Sequence, residues 1–468
     1  MLAVNREYLK GRQVLVVGLA RSGVAAAELL LKQDAWPVLY DAKPLEKLRD
    51  KERIEALIRS GCRQGIGLDP LVLLSQCDVL LISPAVPCDS SLVGRAAELN
   101  IPVIGELELG ALFAKGPILA LTGTNGKTTT VSLLGEMLKA AGKNTRVCGN
   151  IGYPICAAVQ ELQEGDPLVA EVSSFQLETI SSFHPRVAAV TNITPDHLDR
   201  HGSMENYIAL KRKIFVNQTA DDYAVLNADD AIVSGMAAEM KPGILWFSTK
   251  REVQRGAFIR DGKMVLKLHG TEQVVIETGQ IRLPGEHNLQ NALTSVLMAA
   301  AANVPVETIA ETLRNFSGVE HRIEFVRTFE GISYINDSKG TNPESTMRAV
   351  EAMTAPTVLL AGGYDKKISF DALARLIRSS GKIVHVVLYG QTAEQIEKAL
   401  REAGYTYISR ARDMFEAVEC ARSFMRVADG NILLSPACAS FDQFSDYEQR
   451  GKQFKEYVLS LKEKSHAR

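Results

Sequence analysis

No apolar run in this chain approaches the ~18 residues that a membrane-crossing helix needs. Met1 to Lys10 lacks the apolar core of a secretory leader. No membrane span is expected, and a cytoplasmic location is. An excess of either charge is also missing. The 53 lysines and arginines against 55 aspartates and glutamates leave a net charge of −2, so no overall basic field recruits nucleic acid. Anionic substrates must be held by local cations and backbone amides. Cysteines are few and unpatterned: seven, with no CxxC pair, which fits thiols in a reducing compartment and excludes a zinc site. Internal repeats, low-complexity tracts and long linkers are absent too. What remains is ordinary for a globular chain, at 46% hydrophobic and 23% charged residues. A length of 468 residues points to two to four domains, three by the usual size range.

The most informative stretch is Ile118-Leu119-Ala120-Leu121-Thr122-Gly123-Thr124-Asn125-Gly126-Lys127-Thr128-Thr129-Thr130. An apolar run of strand length enters a loop of small residues, and a helix-compatible run from about Thr129 to Ala141 leaves it. Glycines let the backbone approach a phosphate chain, and free N–H groups at the helix start hold its oxygens. Lys127 would reach the terminal phosphates, and the Thr128 hydroxyl would take a Mg²⁺. The common P-loop pattern asks for glycine where this chain has Leu121. The denser run Gly123 to Thr128 nevertheless reads as a nucleoside triphosphate site.

Taken in order, the chain opens with Val14 to Val17, the turn Gly18-Leu19-Ala20-Arg21-Ser22-Gly23 and a helical pattern through Leu31, a Rossmann-like start. Asp41 ends the next strand, about where an acidic ribose contact would sit, yet Ala20 replaces the second glycine of the dinucleotide fingerprint. A nicotinamide cofactor is thus no better supported than a structural turn. Val79 to Ile82 runs into a loop beginning at Ser83, at the sheet edge where open α/β sheets bind ligands. The first boundary falls at Gly105. The central segment holds strands at Leu168 to Ala170 and Val187 to Val190, a helix from about Met204 to Val216, a hairpin at Asp261-Gly262, and a small-residue helix after Gly285. After Gly318 come a hairpin at Glu330-Gly331 and strand–helix alternations at 358–361, 383–389 and 432–434. The expected fold class is α/β with three domains: Rossmann-like 1–105, a central P-loop ATPase-type domain 106–318, and a Rossmann-like C-terminal domain 319–468.

A triphosphate needs Mg²⁺, and the metal needs hard ligands near the P-loop. Glu171 and His197 both sit just beyond predicted strands on the same edge, so with Thr128 they become candidate ligands for two ions.

Several stretches together resemble the Mur ligases of peptidoglycan synthesis. They are Gly123 to Thr129, Glu171-Val172-Ser173-Ser174-Phe175-Gln176, Asp196-His197-Leu198-Asp199 and Gly285-Glu286-His287-Asn288. Two more, Asn336-Asp337-Ser338-Lys339-Gly340-Thr341-Asn342-Pro343 and Leu434 to Phe444, are similar to the members that add D-glutamate. The resemblance covers essentially the whole chain, in family order. It implies an ATP-dependent ligase that joins D-glutamate to UDP-N-acetylmuramoyl-L-alanine through an acyl phosphate, with ATP and two Mg²⁺ ions, as a monomer needing neither nucleic acid nor membrane.

By the same resemblance, Gly18, Ser22, Gly23, Asp41 and Ser83 would border the uridine nucleotide, and Asn150 would lie near the reacting carboxylate. The triphosphate would be cradled by Gly123, Thr124, Asn125, Gly126, Lys127, Thr128 and Thr129. Asn288 and Asn291 would lie by adenine, while Arg322 and Asp337 would contact ATP from the third domain, whose closure would assemble the site. Lys339, Thr341, Lys366, Ser440, Phe441 and Tyr447 fall where D-glutamate is held, with Lys366 or Lys367 as the contributing lysine of its loop and phenylalanine replacing Tyr447 in some members. Lys127, His197, Lys211, Lys339 and Asn150 would carry the catalysis. Lys211 matches a family lysine carbamylated by CO₂, which converts a cation into an oxygen ligand that joins Thr128, Glu171 and His197 as a metal ligand. Two rival readings are a folylpolyglutamate-synthase-like ligase, which typically has glycine where this chain has Thr128, and a P-loop regulatory protein, which needs no amine-acceptor pocket.

Overall fold

A computed structural model describes residues 4–196, 198–238, 240–268, 270–283, 285–365, 368–425 and 430–462. The chain forms two compact units, Met1–Phe316 and Ser317–Arg468. The first contains two sheets and the second one.

The opening sheet is all parallel, in the order Arg63–Gln64, Trp36–Tyr40, Gln13–Val17, Val79–Ile82, Val103–Gly105. Its central strands read as continuous apolar runs because helices cover both faces. Strand order reverses between Gln13–Val17 and Val79–Ile82, so the loops leaving those two strands flank a crevice. Gly18 and Ser83 stand there: a Cβ on Gly18, at φ +91°, would lie 2.8 Å from that of Ser83.

The second sheet has nine strands, with Ile118–Thr122 between Leu168–Glu171 and Val187–Val190 and parallel to both. This register brings Glu171 opposite Leu121 and Val190 opposite Thr122. The loops that follow these three strands therefore leave the same edge. The far end turns antiparallel through the hairpin of Gly256–Arg260 and Lys263–Leu268. Its two linking residues, Asp261 and Gly262, both take positive φ, as a tight hairpin of right-twisted strands requires. The helix after the P-loop starts at Lys127, two residues earlier than the sequence reading, because Gly126 at φ +81° supplies the turn. The expected helix from Met204 to Val216 ends at Arg212 and tightens into a 3₁₀ turn, Lys213–Phe215.

The second unit is a six-stranded sheet in the order Glu324–Phe329, Ile332–Asn336, Gly430–Leu434, Thr357–Gly362, Ile383–Tyr389, Ile408–Arg410. Only the first pair is antiparallel, made by the hairpin at Glu330-Gly331.

Within the first unit, the short helix Glu106–Leu112 ties the two sheets together with two buried carboxylates. Glu106 accepts from the Cys156 N–H at 2.8 Å, at the start of the helix Ile155–Glu161, whose own N-cap Pro154 offers no side-chain acceptor. Glu108 accepts from the N–H groups of Ser181, Ser182 and Phe183 and from the Ser182 hydroxyl. Burial pushes Glu106 up to about 7 against the pull of its bonds from Cys156 and the Ile155 N–H. A carboxyl raised from its ordinary 4.5 gives its full stability below that value and loses it as pH rises through about 7. Glu106→Gln keeps an acceptor and removes the charge. In urea unfolding, the variant should gain on the parent by roughly 1–3 kcal/mol between pH 5 and pH 8. A constant difference across that range would show that Glu106 does not titrate there.

Candidate functional site

At the carboxyl edge of the nine-stranded sheet, the 123–126 turn is held by neighbours on both sides. A Cβ on Gly123, at φ +150°, would fall 2.0 Å from Thr191 Oγ1, and one on Gly126 would fall 2.0 Å from Asn291 Oδ1. Only glycine fits either position. The Thr124 N–H donates to Asn192 O and the Asn125 N–H to Asn192 Oδ1, each at 2.9 Å, while Thr191 Oγ1 donates to Asn125 O at 2.8 Å. Gly126 caps the helix Lys127–Ala140 with no side chain, leaving the first-turn amides, Thr128 and Thr129 among them, open to an anion. Lys127 Nζ folds back onto the carbonyls of Gly123 and Thr124, 2.9 Å from each. A bound phosphate would draw it off these carbonyls.

Glu171, 2% exposed, accepts from Thr128 Oγ1 on one oxygen and from Asn150 Nδ2 on the other, both at 2.8 Å. Three residues of the sequence reading thus form one contact. Lys211 joins them from the helix Met204–Arg212, and it too is 2% exposed. Its Nζ donates to Gly123 O at 2.9 Å and lies 4.7 Å from the centre of the Tyr207 ring. Burial, reinforced by nearby Lys127, holds its amine well below the usual lysine range, against a smaller opposing pull from Asp196 and Glu171. Its neighbours differ: Arg212 is exposed on Ala238 O, and Lys213 reaches Glu178 O at 3.4 Å. His197 lies outside the described residues, and among the described ones no three His, Cys, Asp or Glu side chains gather as a cation site. Tyr207, whose hydroxyl meets Thr124 Oγ1 at 3.1 Å, and Asn192 were not singled out from sequence. Neither belongs to a motif, and only folding brings them to the loop. Beside the turn, Asn291 Nδ2 donates to Asn288 Oδ1 at 3.2 Å.

In the opening sheet, Asp41 accepts from the N–H groups of Leu19 and Lys43 at 2.8 and 2.9 Å and so pins the Gly18–Gly23 turn. A Cβ on Gly23 would strike Gly18 O at 1.9 Å. Ser22 and Asn150 line one cleft of about 360 Å³. Of the uridine-side candidates, Ser22 therefore shares one space with Asn150.

In the second unit, the parallel strands Ile332–Asn336, Gly430–Leu434 and Thr357–Gly362 deliver their loops to one edge. Asp337 is buried, accepts from Ser435 Oγ at 2.6 Å and from the Ile323 N–H at 3.2 Å, and is pushed by burial up to about 7, with Arg322 opposing. Lys339 Nζ lies 5.7 Å from the Tyr447 ring centre, and the Thr341 N–H donates to Lys339 O. Ser440 is buried, whereas Phe441 is 59% exposed and packs edge-on against Tyr364. Lys366 and Lys367 lie outside the described residues. Arg450, absent from the sequence reading, is fully buried and bonds Ser338 Oγ, Ser338 O and Cys438 O, which braces the two motif loops together.

The Mur ligase middle domain matches residues 121–299, and the "Mur ligase, glutamate ligase domain" matches residues 321–438. A UDP-N-acetylmuramoylalanine--D-glutamate ligase from Thermoanaerobacter pseudethanolicus is 44% identical over 456 residues, 97% of this chain and 99% of that protein. The chain belongs to the Mur ligase family. A ligase of the same name from Pelotomaculum thermopropionicum is 46% identical over 452 residues, 96% of this chain and 98% of that one. Among solved Mur ligase structures, MurF from Acinetobacter baumannii shares the fold at TM-score 0.60 and 17% identity, covering 95% of this chain and 93% of its own. UDP-N-acetylmuramate-alanine ligase MurC from Thermotoga maritima does so at 0.57 and 19%, covering 96% and 100%. The α/β architecture expected from sequence is thus the Mur ligase architecture. Two variants test the P-loop geometry. Gly126→Ala should weaken ATP binding at least tenfold in calorimetric titration while circular dichroism stays that of the parent. Lys127→Ala should abolish turnover with the fold intact, because it removes two side-chain bonds to carbonyls but keeps a good helix former at the first helical position. Normal ATP-dependent turnover by folded Lys127→Ala would remove the lysine from the site.

Proposed function

We propose that this Mur ligase adds D-glutamate to UDP-N-acetylmuramoyl-L-alanine with consumption of ATP, a step of peptidoglycan precursor synthesis. The single observation that carries the reading is near-full-length identity of 40–46% to ligases named for that reaction. The motif loops of the second unit support the amino-acid choice.

The L-alanyl carboxylate attacks the γ-phosphate of ATP, giving an acyl phosphate and ADP. The amine of D-glutamate then attacks the acyl carbon, and phosphate leaves from the tetrahedral intermediate. The phosphate makes a leaving group out of a carboxylate oxygen that would otherwise not leave. The protein's task is positioning and neutralising anions. The P-loop amides and Lys127 hold the triphosphate. Asn150, oriented by Glu171, faces the reacting carboxylate. Asn288 and Asn291 lie by adenine, Arg322 and Asp337 serve ATP, and Lys339, Thr341, Ser440, Phe441 and Tyr447, with Lys366 or Lys367, hold D-glutamate.

The buried oxygens of Thr128 and Glu171 are hard donors that suit Mg²⁺, and His197 with Lys211 would hold a second ion. Bound Mg²⁺ would neutralise repulsion between the two anions. Lys211 could contribute only as a carbamate, and carbamylation needs a neutral amine, which its burial favours. The enzyme acts in the cytoplasm as a monomer; no described helix is long and apolar enough to cross a membrane.

Phosphate release with UDP-N-acetylmuramoyl-L-alanine should require D-glutamate, and other muramoyl acceptors or L-glutamate should fail to replace the pair. Lys211→Ala should lose nearly all activity, with partial recovery on adding a small carboxylic acid, while Lys213→Ala stays mild. The opposite ranking of the two lysines would sink the carbamate. Ser440→Ala should raise the KM for D-glutamate, a carboxylate contact of roughly 1–3 kcal/mol, without changing uridine-nucleotide affinity.

A further inference from the structure

The segment from Thr191 to His201 runs from the 123–126 turn toward the loop that begins at Ser83, and it is anchored at both ends. At the near end the Thr124 N–H donates to Asn192 O at 2.9 Å, and the Thr194 N–H donates to Thr124 Oγ1 at 3.1 Å. The far end is the short helix Leu198–His201. There Arg200 Nη1 donates at 2.8 Å to the carbonyl of Pro84, 116 positions away, and Nη2 donates to Glu178 Oε2 at 3.2 Å. We infer that Arg200 is a positioning residue, which sets the spacing between the loop after Val79–Ile82 and the Asp196-to-Asp199 motif. It thereby fixes the two ends of the acceptor site against each other. The inference rests on the reading of Ser83 as a nucleotide-side residue and of the Asp196-to-Asp199 motif as the metal side.

Three observations carry it. The first is how the guanidinium is held. Its central carbon lies 4.0 Å from the centre of the Phe175 ring, which orients the planar fork so that it reaches Pro84 and Glu178 together. The second is the partner. Glu178 also accepts from the thiol of Cys88, further along the Ser83 loop, and burial together with this bond pushes that thiol up to about 12, so it stays a donor. Glu178 therefore meets the loop twice, through Cys88 and through Arg200. The third is the next residue in the chain. His201 is buried, with Nε2 2.9 Å from Ser174 Oγ. Its ring stacks on Phe175 at 5.1 Å and tilts against Tyr207 at 5.2 Å, and the Tyr207 hydroxyl meets Thr124 Oγ1. Two consecutive side chains thus divide the work. His201 seats the turn beside the phosphate loop, and Arg200 reaches across to the other sheet. The Arg200 side chain keeps 23% exposure and that of Glu178 14%, and an ion pair this close to solvent adds little to stability. What it supplies is register.

Calorimetric titrations of the full chain with UDP, with uridine and with AMP-PNP plus Mg²⁺, run beside steady-state turnover, read the two ends of the bridge separately. Arg200→Ala should weaken UDP and uridine alike, by about fivefold, because a loosened Ser83 loop must be ordered on binding. AMP-PNP should stay within about twofold of the parent, since Asn192 and Thr194 hold the near end without Arg200. At saturating substrates kcat should fall about tenfold, because the motif and the bound acceptor no longer meet in register. Arg200→Lys keeps a donor for Pro84 but not the planar fork, and it should recover part of both losses. The same readings on Arg200→Lys decide the matter if the alanine variant fails to fold. A mere brace of the fold would lower the urea midpoint and leave the affinities and kcat of the folded protein at parent values, which would overturn the proposal. A loss confined to UDP, with uridine spared, would make Arg200 a phosphate contact instead. A raised KM for the muramoyl substrate with kcat held would confine its effect to the Ser83 loop. Either result overturns the positioning role and leaves the ligase reading in place. Failure of the parent protein to bind UDP at all would overturn that reading, and the inference with it.

Discussion

One buried carboxylate organises the carboxyl edge of the nine-stranded sheet. Glu171 ends a central strand, and its two oxygens are taken by Thr128 and Asn150, residues of the helix and the turn that leave the neighbouring strands on either side. An isolated anion at this depth would be costly, so its donors must stand in place. The register of three parallel strands puts them there. The same arrangement leaves Thr128 and Glu171 as paired hard oxygens beside the 123–126 turn, donors of the kind that suit Mg²⁺.

Around this contact the fold repeats one device: backbone shapes that only glycine permits, fixed by side chains from elsewhere. The turn at Gly123 is closed by Thr191, that at Gly126 by Asn291, and that at Gly18 by Ser83. Each turn is thereby preformed before any ligand arrives, which spares the ordering cost of binding. Glu106 and Glu108 extend the same economy to the junction of the two sheets, where carboxylates replace the missing helix cap and satisfy a loop.

Much of this was legible in the sequence, for local reasons. Strand–glycine–helix order at Gly18 and at Gly123 follows from apolar runs and positive-φ demands within a dozen residues. The hairpins at Asp261-Gly262 and Glu330-Gly331 follow from turn chemistry alone. The helix limits were less legible. The P-loop helix began earlier than its propensity suggested because Gly126 supplies the turn, and the helix carrying Lys211 stopped at Arg212, where its last turn tightens.

By itself the sequence determined the α/β class, the strand–glycine–helix order at Gly18 and Gly123, and the family, because each rests on neighbours in the chain. The tertiary structure alone decided which of Lys211, Arg212 and Lys213 is buried, and it is the first, whose Nζ reaches Thr122 Oγ1 and Gly123 O. It alone brought Tyr207 to Thr124, Arg450 between two loops of the second unit, and Arg21 and Arg49 into one cleft with Asn150. These contacts join residues 12 to more than a hundred positions apart. Burial, depressed basicity and charge convergence are properties of such distances in space, which spacing along a chain does not encode.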